Sequence, residues 1–184
     1  PSGSRDDAGT ANSEPPSSRE RRMPNASTLV VGLGNSILKD DAVGLVVAEA
    51  LRDRLQQDET VEVLTAECGG LRLLEVIRGY DRVILIDAMK SADGVPGTLS
   101  RHKPSDLKPT HRLTGSHEVS FPHALELGRL AGMGLPREVT VYAIEVDDPF
   151  LIEEGLTPGI AQRVPEFVDR ILREQFPPRT DVRI

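Results

Sequence analysis

Thr28-Leu-Val-Val-Gly-Leu33 leads through Gly34-Asn-Ser-Ile-Leu-Lys-Asp-Asp41 into Ala42-Val-Gly-Leu-Val-Val-Ala-Glu-Ala-Leu51. The first six residues form a short β-branched apolar run, the pattern of a strand buried on both faces. The next eight open with turn residues and close on two acids. From Ala42 the period changes: Val43, Val46, Val47, Ala50 and Leu51 recur at helical spacing, with Arg52, Asp53 and Arg54 continuing on the polar face. Strand, loop and helix in that order are the opening of a parallel α/β sheet.

The remainder of the chain repeats this alternation. Val61–Leu64 reads as a strand, and Leu71, Leu74 and Ile77 as a helix stopped by Gly79. Arg82-Val-Ile-Leu-Ile-Asp87 is an apolar strand that stops at an acid, and Gly97–Ser100 is a short edge strand. Residues 102–116 read as a surface loop. His117–Gly132 forms a helix with Val119, Ala124, Leu127 and Leu130 on its apolar face and Pro122 in its first turn. Val139–Ile144 is a strand. One final helix begins near Thr157-Pro158, an N-cap followed by an N1 proline, and presents Ile160, Val164, Phe167, Val168 and Ile171. The expected architecture is a three-layer α/β/α domain with a mostly parallel, twisted, five-stranded sheet.

The chain has 184 residues, one domain's worth, of which 27–184 are expected to form that domain. Residues 1–26 hold serines, prolines and glycines with almost no large apolar side chain and read as a disordered tail. Four arginines there balance four acids, so the net charge of −7 falls on the domain. An acidic chain with 3% aromatic residues is poorly suited to nucleic acid or an anionic membrane. One cysteine excludes an intrachain disulfide and a cysteine-rich zinc module. No apolar stretch reaches membrane-spanning length, and the start shows no secretory pattern, so a cytoplasmic protein is expected.

In open α/β sheets ligands bind in the crevice at the carboxyl ends of the strands. That rule selects Asn35, Asp40 and Asp41 in the first loop, Asp87 at the end of the third strand, and Ser116-His117 before a helix. Each has a plainer reading. Asp40 or Asp41 would serve as the N-cap of the helix at Ala42, though one cap needs only one acid. Asp87 would serve as a turn residue, and His117 as a helix-start residue. His123, at helical spacing with Ala124 and Leu127, reads as a packed or surface histidine. Cys68, with no histidine clearly paired to it, makes a weak nucleophile.

Gly32-Leu-Gly34 resembles the start of a dinucleotide fingerprint, but Ile37 occupies the place of its third glycine. Two acids would also repel a pyrophosphate at the helix N-terminus. Two carboxylates and an imidazole suit a divalent cation such as nickel, zinc or manganese, and three protein ligands leave coordination positions open.

Val31-Gly-Leu-Gly-Asn-Ser-Ile-Leu-Lys-Asp-Asp-Ala-Val-Gly44 closely resembles the first motif of the NiFe-hydrogenase maturation endopeptidases, G-x-G-N-x-x-x-x-D-D/E-x-x-G. Ile84-Leu-Ile-Asp-Ala88 is similar to their second motif, Pro96-Gly-Thr98 to the P-G-T after it, Ser116-His117 to their third, and Gly155-Leu-Thr-Pro158 to a late G-L-S/T-P. The resemblance runs over about residues 28–175 in the family's order. It implies an endopeptidase that removes the C-terminal extension of a hydrogenase large-subunit precursor after nickel insertion. Carried over by motif, Asp41, Asp87 and His117 are the catalytic and metal-binding set. The nickel is implied to come with the substrate, and other divalent cations could occupy the free protein.

Two positions depart from the family pattern. Glu67-Cys-Gly-Gly70 stands where many members carry an Asp-Gly-Gly-Thr-like segment associated with substrate matching, and Asp41 stands where some carry Glu. The implied partner is the large-subunit precursor, acted on by a monomer. H-E-x-x-H is absent, so the chain is not a zincin. The competing readings are a hydrogenase assembly chaperone that holds the precursor without cutting it, and a nucleotide-binding α/β protein.

Overall fold

A computed structural model of the chain describes residues 26–107 and 119–178. Its strands are β1 (Thr28–Leu33), β2 (Val61–Ala66), β3 (Arg82–Met89), β4 (Leu99–His102) and β5 (Glu138–Glu145). The helices are α1 (Val43–Leu55), α2 (Gly70–Ile77), α3 (Phe121–Leu130), α4 (Pro158–Ala161) and α5 (Val164–Gln175). Short 3-10 turns cover Asp40–Ala42 and Pro104–Asp106.

The strands lie in the order β2-β1-β3-β5-β4, parallel except for β4, which runs antiparallel to β5. The sheet is therefore the mostly parallel five-stranded one expected. Alternation along the central strands fills two cores. Val30, Ile84 and Ile86 meet Val47 and Leu51 of α1 and Phe167, Val168 and Ile171 of α5. Leu29, Val31, Val83 and Leu85 meet Leu73, Leu74 and Ile77 of α2 and Phe121, Ala124 and Leu125 of α3. Helices on both faces leave no wet side, which is why residues 29–33 of β1 and 83–86 of β3 carry no polar side chain rather than alternating.

The expected elements all occur, with informative differences. β3 continues two residues past Asp87, so that acid lies inside the strand. The edge strand starts at Leu99, because Gly97 adopts φ +84° in the turn before it. α3 begins at Phe121 and buries Phe121, Ala124, Leu125 and Gly128, leaving Leu127 and Leu130 exposed. Val46 of α1 is likewise exposed. The final helix is two helices rather than one, broken at Gln162-Arg163. Pro165 explains the break, since it lacks an N–H and its ring clashes with the carbonyl four residues back. Ala26, the last residue of the expected tail, is buried in the α2–α3 core; residues 1–25 lie outside the described residues.

A candidate active site at the switch point of the sheet

From β1 the chain moves outward to β2 and then crosses back to β3 on the other side. That reversal opens a crevice outside the carboxyl ends of β1 and β3. The first motif is built to close α1 onto this point. A Cβ at Gly44 would lie 2.1 Å from the Leu33 carbonyl oxygen and 2.5 Å from that of Ile86. One at Gly32 would lie 2.2 Å from the Gly44 carbonyl oxygen and 2.5 Å from the Ala48 Cβ. Real side chains do not approach this closely. The helix start therefore rests directly on strand backbone, and Gly44 does the packing work of the third glycine that the dinucleotide fingerprint would have placed at position 37.

The loop between β1 and α1 is shaped from within. The Asn35 side-chain oxygen accepts the Ile37 amide at 3.1 Å, and the Asn35 carbonyl accepts that of Leu38 at 3.1 Å. The 3-10 turn that follows packs against β3 and carries both acids, each buried, Asp40 at 3% and Asp41 at 5% exposure. They sit at the N-terminal end of α1, where the unpaired amides of the first turn favour negative charge.

Asp40 does not act as the simple N-cap of α1 expected of a lone aspartate. The Asp40 carboxylate instead accepts hydrogen bonds from Thr157, from the amide at 2.6 Å and the hydroxyl at 3.0 Å. Thr157 is the N-cap residue of α4, but its hydroxyl is turned to Asp40 rather than to its own helix. Asp40 ties the first loop to the late G-L-T-P segment, and Asp41, the next residue, is buried beside it at the start of α1.

Asp87 is 1% exposed, near the carboxyl end of β3. Val83 and Leu85 face the α2–α3 layer, so period-two alternation turns Asp87 to that same side. His117 lies outside the described residues. The described chain resumes two residues later, at Val119, and enters α3 in that layer. His123 is exposed and shares a 2.8 Å hydrogen bond with the Ser120 hydroxyl, the surface alternative of the two expected for it. Cys68 is partly buried against the α2–α3 core. Glu67 accepts the Ser36 amide and hydroxyl at 3.2 and 3.1 Å, tying the segment after β2 to the first loop.

A further buried acid escaped the sequence reading. Glu145 ends β5 two positions beyond Ala143, the register partner of Asp87, and so lies on the same face one step up the neighbouring strand. Its carboxylate accepts the Ser91 amide and, at 3.0 Å, the Ser91 hydroxyl. A Cβ at Gly94 would lie 2.0 Å from that carboxyl group. Glu145 thus folds the β3–β4 connection over itself beside Asp87. No pattern around position 145 announces this; only the register does. A cavity of about 770 Å³ opens there, lined by Ser91, Thr98, Ser100, His102 and Glu145 among others. A larger cleft of about 1090 Å³ lies by Glu138–Thr140, at the opposite end of the sheet from the acids. Chemistry rather than size selects between them.

The chain has a doubly wound α/β sheet with buried carboxylates at its switch point, and Ile37 in the place of the third fingerprint glycine sets it apart from the dinucleotide-binding members of that class. Known proteins make this specific. The HycI hydrogenase maturation protease family model matches residues 45–174, and the chain belongs to that family. It is 28% identical over 148 residues to the hydrogenase 2 maturation protease of Escherichia coli K12, covering 78% of this chain and 87% of that one. It is 26% identical over 153 residues to the hydrogenase expression/formation protein HupD of Thiocapsa roseopersicina, of which it spans 65%. Among solved structures, the E. coli hydrogenase maturating endopeptidase HybD superposes with a TM-score of 0.62 at 26% identity, over 80% of this chain and 92% of that one. A hydrogenase 2 maturation peptidase from a Thaumarchaeota archaeon matches with a TM-score of 0.55 at 26% identity, over 82% and 98%. The protein is a hydrogenase maturation protease, an enzyme of the peptidase class.

Proposed function

We propose that this protease removes the C-terminal extension of a NiFe-hydrogenase large-subunit precursor once nickel is in place, reading the bound nickel as its signal. The observation that carries this is the placement of Asp41 and Asp87. Each comes from a separate family motif, each is buried, and the turn bearing the first packs on the strand bearing the second. Two carboxylates from separate motifs at the same end of the sheet make an oxygen donor pair that suits a divalent cation.

In this reading Asp41, Asp87 and His117 offer two carboxylate oxygens and an imidazole nitrogen to the precursor's nickel, a donor set suited to it. The nickel is cargo of the substrate and the protease needs no metal of its own. Docked in this way, the scissile carbonyl lies beside a Lewis acid that polarises it for attack by water. Water adds to the carbonyl carbon, the peptide C–N bond breaks, and the leaving amine takes up a proton. A carboxylate released from coordination serves as the base that accepts the proton of the attacking water, which gives the enzyme an aspartic-type character. No helix among the described residues is long and apolar enough to cross a membrane.

The deciding experiment mixes the purified chain with nickel-loaded and nickel-free precursor and follows mass loss. Cleavage of the loaded form alone supports the proposal. Equal cleavage of both defeats nickel recognition, and stable binding without cleavage makes the protein a chaperone.

A further inference from the structure

The loops after β1 and β5 are joined beside the acids. Leu38 and Ile152 form an isolated antiparallel bridge, the Lys39 amide donates to the Leu151 carbonyl at 2.9 Å, and Lys39 Nζ meets Glu153 at 2.6 Å. One residue along, Asp40 holds Thr157. These ties fix a ridge on which large aliphatic side chains face water: Ile37 is 54% exposed, Leu151 45% and Ile152 79%. A hydrogen-bonded loop has no folding need for such residues at its outermost points, and clustered exposed apolar side chains mark contact surfaces. Around them stand the exposed acids Asp147, Asp148, Glu153 and Glu154, of which Lys39 offsets one.

We propose that this ridge is a docking site, separate from the nickel-binding acids, for a segment of the large-subunit precursor that carries aliphatic side chains flanked by lysine or arginine. The inference rests on the proposed function and names where its substrate is held. Two features select this occupant. The ridge is continuous with the loop bearing Asp40 and Asp41, so a protein bound there presents its neighbouring surface to the crevice. The acidic rim also disfavours a second copy of this chain, because a twofold contact would set like charges against each other.

The test is single-turnover cleavage of nickel-loaded precursor by the full chain, with protease concentration varied. Ile37→Ser and Ile152→Ser, both at exposed positions, are expected to raise the half-saturating protease concentration about fivefold or more while the maximal rate stays unchanged. Glu154→Lys is expected to raise it too, and to flatten its dependence on salt. Unchanged half-saturation in all three variants, with wild type cleaving normally, overturns the ridge and leaves the function standing. A wild-type dimer in sedimentation that Ile152→Ser disperses, with half-saturation unmoved, makes the ridge a self-association face and also overturns it. Failure of wild type to cleave any loaded precursor removes the function and the ridge together.

Discussion

The Asp40 carboxylate receives both the amide and the hydroxyl of Thr157, two residues 117 positions apart in the chain. This pair joins the first loop, in which Asp41 is the next residue, to the start of α4. Asp40→Ala is expected to lower stability by about 1–2 kcal/mol, since it strands a half-buried amide and hydroxyl. Asp40→Asn, which keeps one acceptor, should lose less. Urea unfolding of both variants, combined with Thr157→Val in a double-mutant cycle, measures the coupling. Additive losses would show that the pair does not act as a unit.

Gly44 meets strand backbone that cannot move aside. Gly44→Ala is expected to cost roughly 1–3 kcal/mol or to prevent folding, as overpacking against fixed atoms does. A Cβ at Gly159 would meet nothing within 4 Å, so Gly159→Ala in α4 should be neutral or slightly stabilising. Thermal melts should therefore show a clear fall for Gly44→Ala and none for Gly159→Ala.

For the chemistry, Asp87→Asn is expected to abolish precursor cleavage while the far-ultraviolet circular dichroism stays that of wild type, because the amide matches the carboxylate in shape. His117→Ala should do the same. Asp41→Glu should retain the most activity, since the oxygen ligand remains and only its reach changes. Densitometry of precursor and mature bands ranks them. Full cleavage by the His117 variant would remove the imidazole from the mechanism.

Nickel supplied by the substrate predicts an asymmetry towards chelators. Treating the protease alone with a chelator and then removing it should leave cleavage of loaded precursor unchanged. Loss of activity restored by adding a divalent metal to the protease would reveal a resident ion instead.

The Tyr142 hydroxyl is expected to govern stability at alkaline pH. Burial first, and then its 2.8 Å hydrogen bond to Glu174, push its pKa up from 10.0 to about 12. The folded state thus holds this proton more tightly than the unfolded chain. Its contribution is complete below pH 10 and is lost as pH rises towards about 12. Glu174 shifts the other way, held low by its hydrogen bonds from Arg170 and Tyr142. Its contribution is present above the ordinary value of 4.5 and is lost as pH falls below it. Tyr142→Phe should flatten the alkaline limb of a stability-against-pH curve, and Glu174→Gln the acid limb.

Periodicity alone carried most of the fold. Continuous apolar runs at 28–33 and 82–86 and helical spacing in 43–51 are local properties, and each segment can bury its apolar surface in only one way. Asp87 stood out in the sequence as a charge directly after an apolar run, but its place inside β3, two residues short of the strand end, was not legible there. Other features depend on residues distant in sequence. Asp40 is joined to Thr157 rather than capping α1, since a hydrogen bond across 117 positions leaves no local trace. Glu145 stands beside the strand of Asp87 because parallel register pairs Ala143 with Asp87, and register is decided by how whole strands pack. The glycines at 32 and 44 show as a motif in the sequence, but their reason, a helix resting on strand carbonyls within van der Waals reach, exists only once the sheet has assembled. The sequence by itself determined which elements form and which residue types could hold a metal. Tertiary packing decided that Asp40 became a tether to Thr157 and that Glu145 came to stand beside the strand of Asp87.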